Sequence, residues 1–368
     1  MRNKKVAVWI FMCFCFVSLY AEKVKILAIG NSFSEDAVEN YLWNIAKAEE
    51  DTLIIGNMYI GGCSLETHWN NAVTNAAAYS YRKINDEGMM TVTESKRLSD
   101  AITDEAWDYI SFQQVSQNSG MYDTYFPYLP NFLAWVQSLA TNPEVEYVLH
   151  QTWAYAQTST HSGFVHYGNN QATMYEAIVN TVFRVATELG ITIVIPTGTA
   201  IQNARTAYIG DNLCRDGFHL DTGIGRYTAA CTWYEKLSGK SVMENTFVPA
   251  GLSSRKIALA RTAAHHAVSV PQNVTDMHDF YNIPDAGINY AGPTNEIKTA
   301  IAPDPLLNTN EIEKVCIYNT QGALVYSDKN PAAFFDKNSR KNSFPEIYVV
   351  KLITKNGVQT FKTVKWYV

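Results

Sequence analysis

The sequence predicts an α/β protein: a three-layer α/β/α sandwich built on a parallel sheet, followed by a small all-β module. Three observations predict it. Short apolar runs alternate with stretches of helical periodicity from residue 23 to about residue 268. The first apolar run ends at a glycine and passes directly into a helical pattern, the opening of a βα unit. After Glu311 the texture changes to alternating strands with turn signals at Gln321-Gly322 and Asn356-Gly357.

Residues 23–29 (KVKILAI) read as a buried strand stopped by Gly30, and residues 35–48 as a helix with Ala37, Val38, Tyr41, Leu42 and Ile45 on one face. Further strands are predicted over 51–60, 108–112 (DYISF), 145–149 and 191–195 (ITIVI). Helices fall around 132–139 and 175–189, the latter closed by Gly190, and later over 223–237 and 253–268. Strands this apolar, alternating with helices, predict a parallel sheet covered on both faces.

With 368 residues, 47% hydrophobic and 17% charged, the chain has material for one large domain and a small one. Its net charge of -6 supplies no basic face for nucleic acid. Arg2, Lys4 and Lys5 precede an uncharged run over 6–20 that ends at Ala21, the pattern of a cleaved export signal. The run is shorter than the about 20 apolar residues a membrane span needs. The expected division is therefore a signal over 1–21, an α/β domain over 22–270, an irregular segment and linker over 271–310, and a β-sandwich module over 311–368. Pro271, Pro284, Pro293, Pro303 and Pro305 mark the linker. The expected destination is the periplasm, the cell surface or the medium, with no membrane span after cleavage. Cys13 and Cys15 leave with the signal; Cys63, Cys214, Cys231 and Cys316 match no zinc spacing, and leave a disulfide or free buried thiols open.

Two motifs carry chemistry. In ILAIGNSFS (26–34), Ser32 lies two residues beyond the glycine that ends the first strand. That is the carboxyl edge of the sheet, where open α/β folds bind ligands, and the start of a helix, which favours an anion. Ser32 is a candidate nucleophile there; a plain helix cap is the alternative. In RDGFHLD (215–221), Asp216 and His219 are three residues apart around Gly217, so one turn can bring the carboxylate to the imidazole. A capping Asp beside a partly buried His is the alternative. Trp153 and Tyr155, with His150 in HQTWAY, follow the fourth strand and could wall a sugar site or pack a loop; Tyr122, Tyr125 and Tyr128 pose the same choice. His161 and His166 have no carboxylate or Cys at ligand spacing, so no metal is expected. Arg226 is expected to pair with a carboxylate, and His68 has no assigned role.

A serine at the first strand, D-x-x-H after the last and βα units between them resemble the SGNH (GDSL-like) hydrolase family, over residues 23–237. The resemblance implies a flavodoxin-like sandwich and a triad of Ser32, Asp216 and His219, with GNS standing where many members have GDS. It places the family's oxyanion-donating glycine at Gly62, in IGGCSL. The family's G-x-N-D block is absent; FQQVSQNSG (112–120) stands there. Its oxyanion amide would fall on Gln113 or Gln114, nearest the strand end, with Gln117 and Asn118 as alternatives. Gln-rich third blocks are similar to those of carbohydrate O-acetylesterases, and the overall texture resembles a branch common in polysaccharide-degrading bacteria. The resemblance thus implies a cofactor-free serine esterase acting on an acylated carbohydrate. A lipase or thioesterase, and a silent glycan-binding protein on the same fold, are the alternatives. VCIYNTQGALV and IYVVKLITKNGVQTFKTVKW resemble type IX secretion sorting domains, with Glu346 where those carry glycine; a plain accessory β-module fits as well.

Overall fold

The computed structural model describes residues 23–282 and, as backbone alone, the strands over 312–319, 324–328, 346–354 and 357–365. The expected export signal over 1–21, the 283–311 stretch and the expected turn at 321–322 lie outside the described residues.

The first unit is organised around β1 (Lys23–Gly30), whose Ile26 to Gly30 are buried. It pairs in parallel with β2 (Thr52–Tyr59) on one side and β5 (Tyr109–Phe112) on the other. Beyond β5 come β6 (Glu146–His150) and β7 (Ile193–Ile195), also parallel. These five strands are the apolar runs of the sequence. Beyond β2 the sheet continues as an antiparallel hairpin, β3 (Tyr79–Ile84) and β4 (Met90–Lys96), giving the order β4-β3-β2-β1-β5-β6-β7. The sheet is therefore mixed, not wholly parallel as the sequence suggests. Met90 to Ser95 are all exposed, so β4 has no apolar run to announce it.

Helices flank both faces. α1 (Ser32–Val38), α2 (Leu42–Ala48), α7 (Thr197–Arg205), α8 (Ile224–Ser238) and α9 (Ser254–Ser269) pack with one another. α3 (Leu65–Val73), α4 (Leu98–Ile102) and α5 (Tyr128–Leu139) form a separate contacting group. α6 (Gln171–Leu189) crosses from β6 to β7; Asn170 caps its start and Gly190, at φ 66°, ends it. Where one helix is expected over 35–48 there are two. Asn40 donates its amide to the Glu35 carbonyl (3.3 Å), closing α1, and is itself held by Arg226 (2.9 Å). Residues 271–282 lie back on α7: the Thr199 hydroxyl donates to the Pro271 carbonyl (2.7 Å), and the N–H of Met277 to Thr206 Oγ1 (2.6 Å).

The second unit starts at Pro293. Its strands β8 (Ile312–Asn319), β9 (Leu324–Asp328), β10 (Glu346–Thr354) and β11 (Gly357–Lys365) form one antiparallel sheet in the order β11-β10-β8-β9. A second layer of the expected sandwich is not present among the described residues. No helix among the described residues is long and apolar enough to cross a membrane.

Candidate active site

The site is built at the carboxyl edge of β1. Asn31 caps α1: its Oδ1 accepts from the Phe33 N–H (3.0 Å), and its Nδ2 donates to the Cys63 carbonyl (3.0 Å). This fixes the turn and leaves half-buried Ser32 as the first residue of the helix.

The second half of the site is a short turn. Cys214 and Leu220 form an isolated bridge, and the Arg215 N–H donates to the His219 carbonyl (2.9 Å). Gly217 sits at φ +90°, and a Cβ there would lie 3.0 Å from Ser159 Cα; both the conformation and the space call for glycine. Asp216 Oδ1 accepts from the N–H groups of Phe218 (3.2 Å) and His219 (2.8 Å). Its Oδ2 lies 2.6 Å from His219 Nδ1, and His219 Nε2 lies 2.8 Å from Ser32 Oγ. Residues 187 positions apart are thus in hydrogen-bond contact. A neutral imidazole in this arrangement carries its proton on Nδ1 and presents the Nε2 lone pair to the serine hydroxyl. Burial pushes the Asp216 carboxyl up, but hydrogen bonds from the His219 ring and the His219 and Phe218 backbone outweigh it, leaving the pKa below 3.8.

The two halves are tied together by Asp36, a fully buried carboxylate on α1, four residues beyond Ser32. It accepts from Arg215 (3.0 Å), from Arg226 (2.8 Å) and from the Leu220 N–H (2.8 Å). The helix carrying the serine is thereby clamped to the turn carrying the histidine. Arg226 has the carboxylate partner expected of it. The sequence signal for Asp36 was an acid on the buried side of a short helix, readable only once Arg215 and Arg226 are known to converge on it.

A cleft of about 280 Å³ opens over Ser32 and His219. Gly61 and Gly62 form one wall, with Gly62 at φ +64°. Among the described residues, neither the Ser32 nor the Gly62 N–H has an intramolecular acceptor. Tyr59, Gln117, His161 and Phe218 are also among the lining residues. Nothing in the sequence pattern singles out Tyr59 or Phe218 as cleft residues, and His161 stands out there only as a metal-ligand type without partners.

Four expected site residues face elsewhere. Gln113 is buried and bridges the interior: its Nε2 donates to Asn31 Oδ1 (2.7 Å), and its Oε1 meets His150 Nδ1 (2.8 Å). His150 Nε2 in turn meets the Thr197 hydroxyl (3.0 Å), and burial pushes this imidazole down to about 3, so it is neutral. Gln114 Oε1 accepts from the N–H groups of Leu65 (3.0 Å) and Val115 (2.8 Å), and its Nε2 donates to the Thr124 carbonyl (2.9 Å). Neither amide lines the cleft; of the candidates in that block, Gln117 does. Trp153 and Tyr155 are wholly buried and do not line the cleft. Trp153 stacks on Phe33 (4.2 Å between centroids) and donates to the Phe218 carbonyl (2.7 Å), while the Tyr155 hydroxyl pairs with Ser116 (2.7 Å). They support the walls of the site. Tyr125 is buried as well, and Tyr122 and Tyr128 are bonded to Glu188 and Glu66. His68 is buried against Tyr79 (2.9 Å). Cys63, Cys214 and Cys231 are free thiols. Among the described residues no three His, Cys, Asp or Glu side chains gather as metal ligands.

Residues 25–267 match the model of the family described as "Domain of unknown function (DUF4886)". The chain is similar to a DUF4886 family protein from Bacteroides uniformis ATCC 8492, known from a crystal structure. The two are 50% identical over 70% of this chain and 98% of that one, with a TM-score of 0.69. Lower similarity extends to a protein from Slackia heliotrinireducens provisionally assigned to the SGNH hydrolases. It is 19% identical, with 59% and 100% of the two chains covered and a TM-score of 0.40. An acetylxylan esterase from Geobacillus stearothermophilus, solved as a catalytic mutant, is 15% identical, with 59% and 95% covered and a TM-score of 0.38. No curated protein sequence matches the chain. The chain belongs to the DUF4886 family.

Proposed function

We propose that this protein is an exported serine esterase that removes acetyl or other small acyl groups from carbohydrate. The observation that carries the reading is the continuous line from Asp216 through His219 to Ser32, with contacts of 2.6 and 2.8 Å. A helix-capping serine needs no imidazole on its hydroxyl, and here Asn31, not Ser32, does the capping.

In the proposed reaction Ser32 Oγ attacks the ester carbonyl while His219 Nε2 takes its proton. Asp216 holds the ring in the required tautomer and stabilises the imidazolium. The negative charge of the tetrahedral intermediate is met by the N–H groups of Ser32 and Gly62, both without another acceptor and both on the cleft. His219 then returns the proton to the leaving alcohol, and water releases the acyl group by the same steps in reverse order of partners. No cofactor enters.

A cleft of about 280 Å³ with Asn31, Gln117 and His161 among its lining suits a short acyl group on a polar alcohol better than a long alkyl chain. Export and the carbohydrate assignment rest on the N-terminal pattern and on the sequence resemblance. The aligned serine and histidine favour an enzyme over a silent glycan-binding protein.

The test is Ser32→Ala assayed on p-nitrophenyl acetate. Turnover is expected to fall by at least about 10³-fold with an unchanged melting temperature. A variant keeping more than about a tenth of wild-type turnover would remove Ser32 from the reaction.

A further inference from the structure

His161 lines the cleft, and the proposed mechanism gives it no step. It opens a tight turn, Ser162–Tyr167, and caps it: its Nδ1 accepts from the Gly163 N–H (3.1 Å). An imidazole whose Nδ1 is an acceptor carries its proton on Nε2. The ring is wedged between Tyr155 and Phe218, each 4.9 Å away by ring centroid. The turn itself is pressed onto the neighbouring segment. A Cβ on Gly163 would stand 2.3 Å from Gln117 Cβ, and the Tyr167 hydroxyl donates to the Gln117 carbonyl (3.0 Å). Ring position and tautomer are therefore both set by the protein, and among the described residues Nε2–H has no acceptor. It is the polar group that His161 has to offer the cleft.

The charge state agrees. Burial lowers the His161 pKa first, nearby His219 lowers it further, and Asp216 opposes both, with a net downward shift from 6.5. The ring stays neutral and presents one donor.

Chemistry decides which part of the substrate that donor meets. His219 must deliver a proton to the departing alcohol oxygen, so the alcohol leaves on the His219 side of the carbonyl, away from the oxyanion donors. His161 is a near neighbour of His219: the Phe218 ring touches both imidazoles, 4.2 Å from His219 and 4.9 Å from His161.

We propose that His161 is a specificity-determining residue whose Nε2–H donates to a hydroxyl or ring oxygen of the alcohol portion, selecting esters of polyhydroxylated alcohols over simple aryl or alkyl esters. The proposal rests on the esterase reading. His161 is half-buried at the cleft, so a bound alcohol portion would cover its Nε2–H, and a donor covered without a partner discriminates against the analogue that lacks the acceptor.

The test compares two esters in one enzyme: p-nitrophenyl acetate, which has no hydroxyl on its leaving group, and a mono-O-acetylated methyl glycoside with free neighbouring hydroxyls. His161→Phe keeps the ring stack and removes the donor. Its kcat/KM for the glycoside is expected to fall about ten-fold, mainly through KM, with the aryl ester within about two-fold of wild type. His161→Leu also removes the donor, with a smaller apolar side chain, and is the second variant should His161→Phe fail to fold; the same split is expected. An equal effect on both esters, or no effect on the glycoside, overturns the role of His161 and leaves the esterase reading standing. A wild-type protein inactive on both esters overturns the esterase reading itself, and the His161 role with it.

Discussion

Two stretches of chain bring polar side chains to the same edge of the sheet, and they use them in opposite ways. The turn over 214–221 has its backbone groups taken up locally and by α1: Arg215 bonds to His219, Asp216 Oδ1 takes two N–H groups, and Asp36 takes the Leu220 N–H. With its internal demands met, its histidine is available to face Ser32. The stretch over 112–119 serves the interior. Gln114 fills the orphan N–H at the start of α3, and Gln113 is the link between neutral His150 and the Asn31 cap. A polar residue at a strand end reaches the ligand only where no buried donor or acceptor nearby has a prior need of it.

Three substitutions probe that contrast. Asp36→Ala should have the largest effect on stability. It strands two guanidinium groups and one N–H around a fully buried position, a loss of about 3–5 kcal/mol. Activity should fall with it, because the clamp between α1 and the histidine turn is gone. Unchanged thermal unfolding would show that the turn holds itself. Gln113→Ala should come next, at about 1–3 kcal/mol, since His150 and Asn31 both lose a partner. Its rate should fall far less than the 10²–10³-fold, roughly, that follows loss of an oxyanion donor. A loss of that size at full stability would put the amide in the cleft after all.

The smallest effect comes from a second carboxylate–imidazole pair, remote from the cleft: His265 Nδ1 on α9 and Glu235 Oε1 on α8, 2.6 Å apart. The Glu235 hydrogen bond raises the His265 pKa above 6.5, against burial. The pair therefore contributes stability below pH 6.5, and that contribution is lost as pH rises through the higher folded value. Glu235→Gln should flatten that slope of melting temperature with pH and leave turnover unaltered. A matching change in turnover would mean that the two pairs are coupled.

The same contrast explains what the sequence disclosed. β1, β2, β5, β6 and β7 are legible because strands buried on both faces must be apolar throughout. The β3–β4 hairpin is not, since YSYRKI and MTVTESK carry no apolar run. Ser32, Asp216 and His219 are legible because each sits in a short local frame, G-N-S or D-G-F-H, that fixes its position within a few bonds. For Trp153, Tyr155, Gln113 and Gln114 the sequence discloses a place just after β5 or β6 but not the direction of the side chain. Whether a side chain points outward or inward is decided by partners such as Phe33, Ser116 and Asn31, which lie far away in sequence. Asp36 was hidden for the same reason, as its two arginines come 179 and 190 residues later.

The central claim is that Ser32 is a nucleophile activated by His219. It is tested most directly by treating the full chain with a fluorophosphonate and locating the adduct by intact-mass measurement and peptide mapping. One adduct on Ser32 is expected, absent in Ser32→Ala and formed far more slowly in His219→Ala. A wild-type chain that takes up no label, or a label that persists undiminished in Ser32→Ala, would contradict it.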